Sequence, residues 1–317
     1  MIEVQGLSKF YGQRKAIDDL TFTVEKGEIL GFLGPNGAGK TTTMKILTCF
    51  MPASAGVARV AGYDVFDEPL EVKRRVGYLP ETPPVYKDMV VREYMLYAAA
   101  LHGVRGAAAK TAVDTALGKC GLGDVRNRLI GNLSKGYRQR VGLAQAIVHN
   151  PDVLILDEPT VGLDPKQIIE IRELIKGFAG EHTVILSTHI LPEVQATCSR
   201  VLIINEGKIV ATDKLDAISA RFRKGNIFSL IVRDSSSDLA AKLRKVAGVG
   251  DVTENGKAEG GSRYTVSASN GDDIRSALAD TVVKSGLGLL ELRRESLSLE
   301  DVFLKLTTVE NVKEAQQ

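Results

Sequence analysis

The chain has 317 residues, of which 44% are hydrophobic and 25% charged, with a formal charge of +2. That balance fits a folded protein of about two domains and excludes a disordered chain, and the charge is too small for a nucleic-acid binder built on a clustered basic face. Cys49, Cys120 and Cys198 are odd in number and far apart, so neither a disulfide framework nor a zinc site is expected. Met1 to Gln5 lack a secretory pattern and no apolar run approaches about 18 residues, so a cytosolic chain that does not itself span a membrane is expected.

Ile2 to Leu7, Thr21 to Val24 and Ile29 to Leu33 read as strands, the last one buried on both faces. Tyr11-Gly12 falls in a polar turn between the first two. Its ring either stacks on a base or is an ordinary surface tyrosine. The third strand runs into Gly34-Pro35-Asn36-Gly37-Ala38-Gly39-Lys40-Thr41, which fits the phosphate-loop pattern, and Met44, Leu47 and Thr48 follow at helical spacing. Glycines let successive N–H groups turn toward one anion, and the helix adds the positive end of its dipole. Polyphosphate is the natural guest: Lys40 supplies a point charge for β- and γ-phosphate oxygens, and the Thr41 hydroxyl completes the shell of a Mg²⁺ ion. These eight residues are candidate nucleotide ligands, together with Thr42, which stands where a dinucleotide fingerprint needs its third glycine.

Gly56 to Val60 and Arg75 to Pro80 read as further strands, and Glu81 then lies at a strand end, where open α/β sheets face their ligand crevice. Pro83-Pro84 breaks regular structure. From about Val90 to Cys120 the pattern is helical and Ala-rich, which predicts an inserted helical subdomain over about 88–150. Ser134 is the N-cap of a helix running through Leu143, Ile147 and Val148; its exposed N–H groups are either a second anion site or a routine capped start. Val153 to Leu156 is an apolar strand ending in Asp157-Glu158. Standing alone, such a pair could be solvated surface, but beside a phosphate loop Asp157 suits Mg²⁺ and Glu158 suits orienting or deprotonating the water that attacks the γ-phosphate. Asp164-Pro165 starts an amphipathic helix, and Thr183 to Thr188 is another buried strand with His189 at its end, structural or within reach of the γ-phosphate. Cys198 to Val210 reads as two short strands meeting at Asn205-Glu206-Gly207.

Near Arg221 to Asn226 the register changes. Beyond it the order strand, helix, strand, strand, helix, strand is the split βαβ pattern of a ferredoxin-like domain, with an exposed hairpin tip at Asn255 to Gly261 and a capping box at Ser298 to Asp301 that opens a last helix. Two domains are expected, 1–222 and 226–310, with 311–317 a frayed tail.

Taken in order, Gly34 to Thr41, Leu133 to Gly136, Val153 to Glu158, Gly162-Leu163-Asp164 and His189 resemble the nucleotide-binding subunit of ATP-binding cassette transporters, over roughly residues 1 to 220. The resemblance implies an α/β phosphate-loop NTPase cassette, with a parallel-sheet core, an antiparallel β subdomain and the helical insert. It implies an ATPase that uses ATP and Mg²⁺, with Tyr11 stacked on adenine. Ser134 and Gly136 would contact the γ-phosphate of ATP held by the other subunit of a head-to-tail homodimer, Asp164 would lie at the seam, and His189 would clamp the γ-phosphate and attacking water. The implied partner is a separate integral membrane permease, which places the chain on the cytoplasmic face of the membrane. Two positions depart from the family pattern. Glu81 stands where Gln is usual, and there its carboxylate either slows hydrolysis or binds the metal directly; Tyr137 stands in the signature Leu-Ser-Lys-Gly-Tyr, where Gln is usual. Such sequences are similar to bacterial exporter subunits, the gliding-motility-associated type among them. The alternative is a soluble cassette ATPase acting on DNA or ribosomes, which usually carries long coiled-coil inserts or two cassettes; neither an internal repeat nor a long heptad stretch is present.

Overall fold

The computed structural model describes residues 1–215, 217–218, 227–233, 238–258, 260–269 and 273–295. Packing divides the chain into two units, Met1–Leu215 and Asp216–Gln317.

The first unit is built on two sheets. An antiparallel sheet holds β1 (Ile2–Tyr11), β2 (Arg14–Val24), β4 (Ala55–Val60) and β5 (Tyr63–Asp64) in the order β2-β1-β4-β5. The second holds β3 (Ile29–Leu33), β6 (Val76–Leu79), β7 (Val153–Asp157), β8 (Thr183–Thr188), β9 (Arg200–Asn205) and β10 (Lys208–Asp213) in the order β10-β9-β3-β8-β7-β6. All its neighbours pair parallel except β9 with β10. A parallel sheet covered on both faces needs apolar residues at every position, which is why β7 and β8 read as unbroken hydrophobic runs. Leu154, Leu156, Val184 and Leu186 pack into one core with the helical subdomain. The alternate residues Val153, Ile155 and Ile185 face a second core shared with the antiparallel sheet and with α1 (Lys40–Leu47).

The strands β1 and β2 run further than their alternation predicts. Register shifts between Val4 and Leu7, Leu7 and Lys9, and Lys9 and Phe10 break the two-residue period, so both strands continue to a turn at Gly12-Gln13, and Tyr11 ends β1 opposite Arg14. Further helices of this unit are α2 (Pro69–Arg75), α3 (Val91–Leu101), α4 (Gly106–Lys119), α5 (Lys135–Ile147), α6 (Pro165–Lys176) and α7 (Leu191–Thr197). The Ala-rich stretch is two helices, because Gly103 at φ +82° turns the chain after α3. Among the described residues no helix is long and apolar enough to cross a membrane.

The second unit carries β11 (Ile227–Val232), α8 (Leu239–Arg244), β12 (Val249–Ala258), β13 (Gly261–Ala268), α9 (Arg275–Lys284) and β14 (Leu289–Glu295). Its sheet order is β12-β13-β11-β14 with every pair antiparallel, the ferredoxin-like arrangement. Phe228, Leu230 and Val232 pack with Leu239, Leu243, Leu278 and Val282 as its core. The expected hairpin tip is narrower than Asn255 to Gly261: pairing continues to Ala258 and resumes at Gly261, past an irregularity between Glu254 and Lys257 where Gly256 has φ +82°. The predicted loop at 221–226, last helix and frayed tail lie outside the described residues.

Candidate nucleotide site

Four parallel strands deliver the candidate residues to one edge. Leu33 aligns with Thr188, Asp157 with Ser187, and Leu79 with Leu156, so the residues that follow β3, β8, β7 and β6 emerge side by side at the carboxyl end of the sheet. The crossings are pinned by backbone bonds from Gly34 N–H to Thr188 O (3.3 Å) and from Glu158 N–H to Ser187 O (2.9 Å).

A cleft of about 570 Å³ opens there, lined by Asn36, Gly37, Gly39, Lys40, Thr41 and Thr42 on one side and by Tyr11, Glu81, Glu158 and His189 on the others. The helix α1 starts without a side-chain cap, from Gly39 at φ +106°, so its first N–H groups carry no local acceptor. Lys40 is 5% exposed, and its Nζ donates to Gly34 O (2.8 Å) and Pro35 O (3.1 Å) while lying 3.3 Å from Glu158 Oε1. The other Glu158 oxygen, Oε2, lies 2.9 Å from His189 Nδ1. With its proton on Nδ1 the imidazole donates to Glu158 and keeps Nε2 as an acceptor. Glu158 holds φ +49°, a backbone conformation uncommon outside glycine, asparagine and aspartate.

Asp157 is 1% exposed. Ser187 Oγ donates to its Oδ1 at 2.7 Å, but Oδ2 is buried with no hydrogen-bond partner. Burial raises its pKa, opposed by the Ser187 and Thr41 hydroxyls, reinforced by the neighbouring Glu158 charge and opposed again by Lys40. An orphaned, buried carboxylate oxygen beside a phosphate loop is the donor a hard cation takes.

Tyr11 is 47% exposed, and its hydroxyl donates to Met51 Sδ at 3.2 Å, which leaves the ring at the cleft edge. Ser134, Gly136 and Asp164 do not line this cleft. Ser134 caps α5 and accepts from Tyr137 N–H at 3.3 Å; Asp164 caps α6 and accepts from Gln167 N–H at 2.9 Å. The two caps meet at Gly136, where an added Cβ would lie 2.6 Å from the Gln167 amide carbon. Sequence reasoning missed Arg14, Ala16 and Val161, which also line the cleft. Arg14 had a usable signal, since a hairpin closing at Gly12 sets it opposite Tyr11.

Residues 17–161 match the family model described as ABC transporter. The chain belongs to the ATP-binding subunits of ABC transporters. It is 35% identical over 308 residues to the bacitracin transport ATP-binding protein BcrA of Bacillus licheniformis, covering 96% of this chain and 97% of that one. The linearmycin resistance ATP-binding protein LnrL of Bacillus subtilis (strain 168) is 30% identical, covering 97% and 98%. A solved ATP-binding subunit of an ABC transporter superposes with a TM-score of 0.64 at 32% identity, over 70% of this chain and 93% of that chain. ABC cassettes are ATPases, and this ABC subunit is an ATPase. Nothing in these likenesses supports action on DNA or ribosomes.

Proposed function

We propose that this ABC subunit powers an exporter whose membrane-spanning part is a separate polypeptide, and that it works as a homodimer, peripheral on the cytoplasmic face. The observation that carries the reading is the convergence of Lys40, Glu158 and His189 at neighbouring strand ends around the phosphate loop. Gly34 to Thr42 hold the triphosphate, with the uncapped α1 N-terminus and the Lys40 ammonium facing its charge. Tyr11 stacks on the adenine. Mg²⁺, when bound, neutralises phosphate oxygens, and Thr41 with the orphaned Asp157 Oδ2 fits it. Among the described residues no group of three or more acidic, His or Cys side chains forms a cage, which suits an ion that keeps waters and phosphates as its other ligands.

Glu158 accepts the proton of the attacking water through Oε1 or Oε2, while the bond between the γ-phosphorus and the bridging oxygen breaks and ADP leaves. With protons on both ring nitrogens, His189 orients Glu158 from Nδ1 and donates its Nε2–H to the γ-phosphate. Ser134 and Gly136 contact the nucleotide of the partner copy, and Asp164 lies at the seam; this explains why they stand away from their own cleft. Glu81, exposed at its rim, is the coupling or metal-binding residue. An apolar groove of about 540 Å³ lined by Phe50, Tyr78, Pro80, Pro84, His102 and His149 begins one residue before Glu81, which supports docking of the membrane subunit there. The names of the relatives, bacitracin transport and linearmycin resistance, support export. The unit after residue 215 is an accessory domain.

The test is Glu158→Gln. Loss of the base lowers turnover by about 10²-fold or more, and the trapped nucleotide shifts the protein to a dimer at saturating ATP in light scattering. Turnover within about 3-fold of the parent removes Glu158 from its role. A monomer at saturating ATP removes the two-site reading.

A further inference from the structure

The loops that carry Glu158 and His189 share a buried anchor. Glu193, in the first turn of α7, is 1% exposed, and both of its oxygens are bonded. Thr160, two residues after Glu158, donates to Oε1; Thr188, the residue before His189, donates to Oε2 at 2.7 Å. The Thr188 hydroxyl also accepts from Ile190 N–H at 3.1 Å, which closes the turn around His189. Thr160 and Thr188 are both buried, 2% and 0% exposed. Charge compensation comes from α6, where Arg172 Nη2 lies 3.8 Å from Glu193 Oε1. One carboxylate therefore bridges the ends of β7 and β8 from residues that do not line the cleft, while Glu158 and His189, which do, meet at 2.9 Å.

A buried carboxylate is costly unless its partners are complete, and hydroxyl donors to a charged acceptor are among the stronger neutral-to-ion hydrogen bonds. The geometry has a further feature that needs such a restraint. Glu158 sits at φ +49°, and that conformation persists only where its surroundings over-determine it. Backbone bonds hold its N–H to Ser187 O on the upstream side, and on the downstream side Thr160 holds the chain to Glu193.

We propose that Glu193 is a positioning residue for ATP hydrolysis: its two oxygens fix the Glu158 loop against the His189 turn, so that base and imidazole stay in register. This rests on the role given to Glu158 above. Misplacing a base by about 1 Å costs on the order of 10²-fold in rate. None of these three side-chain hydrogen bonds reaches the phosphate loop or α1; the link from the loop to Thr188 is the backbone bond from Gly34 N–H to Thr188 O, which side-chain variants leave in place, so nucleotide binding should change little.

The experiment measures kcat and KM for ATP, equilibrium binding of a fluorescent ATP analogue, and melting temperature for Glu193→Gln, Glu193→Ala, Thr160→Val and Thr188→Val. The expected result is a fall in kcat of about 10- to 10²-fold, with analogue affinity within about 3-fold of the parent, and recovery of most activity in Thr160→Ser and Thr188→Ser, which keep the hydroxyls. Thr160→Val and Thr188→Val in the Glu193→Ala background lower kcat no further, because the bridge is already gone. If Glu193→Ala does not fold, Glu193→Gln and the two valine variants carry the measurement. An unchanged kcat per mole of nucleotide-binding protein in those variants overturns the proposal and leaves Glu193 a packing residue. Glu158→Gln is measured alongside: if it too keeps its turnover, the role of Glu158 is what has failed, whereas its inactivity beside fully active bridge variants rejects the Glu193 proposal alone.

Discussion

Gly77, on the edge strand β6, tests whether the helical subdomain is rigidly seated on the ATPase sheet. A Cβ at this position would fall 2.0 Å from Ala146 O and 2.7 Å from Leu154 Cδ2. Ordinary contact starts at 3.4 Å, so in Gly77→Ala the C-terminal end of α5 must retreat by about 1.4 Å, because a helix carbonyl cannot rotate aside. Overpacking of this size costs about 1–3 kcal/mol. For a domain of this length each kcal/mol moves the melting temperature by about 2–4 °C, so a fall of roughly 2–12 °C is expected. Between Ala146 and Ser134 the helix spans about 18 Å, so a push at one end tilts the capped end that the proposed dimer uses. The strands β7 and β8 separate β6 from β3, so the phosphate loop is spared. Thermal unfolding, analogue binding and phosphate release together decide the matter: melting temperature and turnover fall while analogue affinity stays within about 3-fold. A melting temperature within about 1 °C of the parent refutes the close approach of α5 to β6 on which the reasoning stands.

In Gly39→Ala a side chain would have to occupy φ +106° with its Cβ 2.6 Å from Ala16 O, so ATP affinity falls by at least about 10-fold; Gly37→Ala, at φ +82° with open space around it, loses less, and equilibrium binding of the two variants checks the contrast. Asp157→Asn removes a buried carboxylate whose pKa is raised mainly by burial. Because the folded carboxyl holds its proton more tightly than the unfolded one, ionising it works against folding: the penalty is absent well below pH 3.8 and complete above the raised folded value, so at pH 7 the nucleotide-free variant melts higher while Mg²⁺-dependent turnover falls. His149, stacked on His102 with centroids 3.6 Å apart, has its pKa lowered to about 4, first by burial and then by the neighbouring imidazole. Its unfolded value is 6.5, so its contribution is whole above pH 6.5 and is lost as pH falls toward 4; the loss is roughly 1–3 kcal/mol, and His149→Gln should flatten the pH dependence of melting over that window.

The parts of this fold that could be read from sequence are those whose physics is local. The phosphate loop is one strand, one turn and one helix, and the carboxylates of Asp157-Glu158 end a run that only a sheet buried on both faces explains. The ferredoxin-like order was legible because each strand and helix of the second unit keeps its own period. Where bulges interrupt pairing the period vanishes, which is why β1 and β2 read short and why Arg14, placed by the hairpin they form, was missed as a wall of the cleft.

What sequence could not supply is the charge arrangement inside the site, because it joins residues far apart in the chain. The Lys40 ammonium has three N–H donors, and in the folded chain they face Gly34 O, Pro35 O and Glu158 Oε1. Phosphate oxygens arriving at Lys40 compete with that carboxylate for the same donors. Binding of the triphosphate therefore draws the ammonium away from Glu158 Oε1 and leaves that carboxylate to His189 and the attacking water, so that occupation of the phosphate loop also frees the proposed base. A crystal structure with a non-hydrolysable ATP analogue tests the coupling: Lys40 Nζ should move beyond ion-pair distance of Glu158 Oε1 onto phosphate oxygens, and an unbroken Lys40–Glu158 pair in the nucleotide-bound protein refutes it.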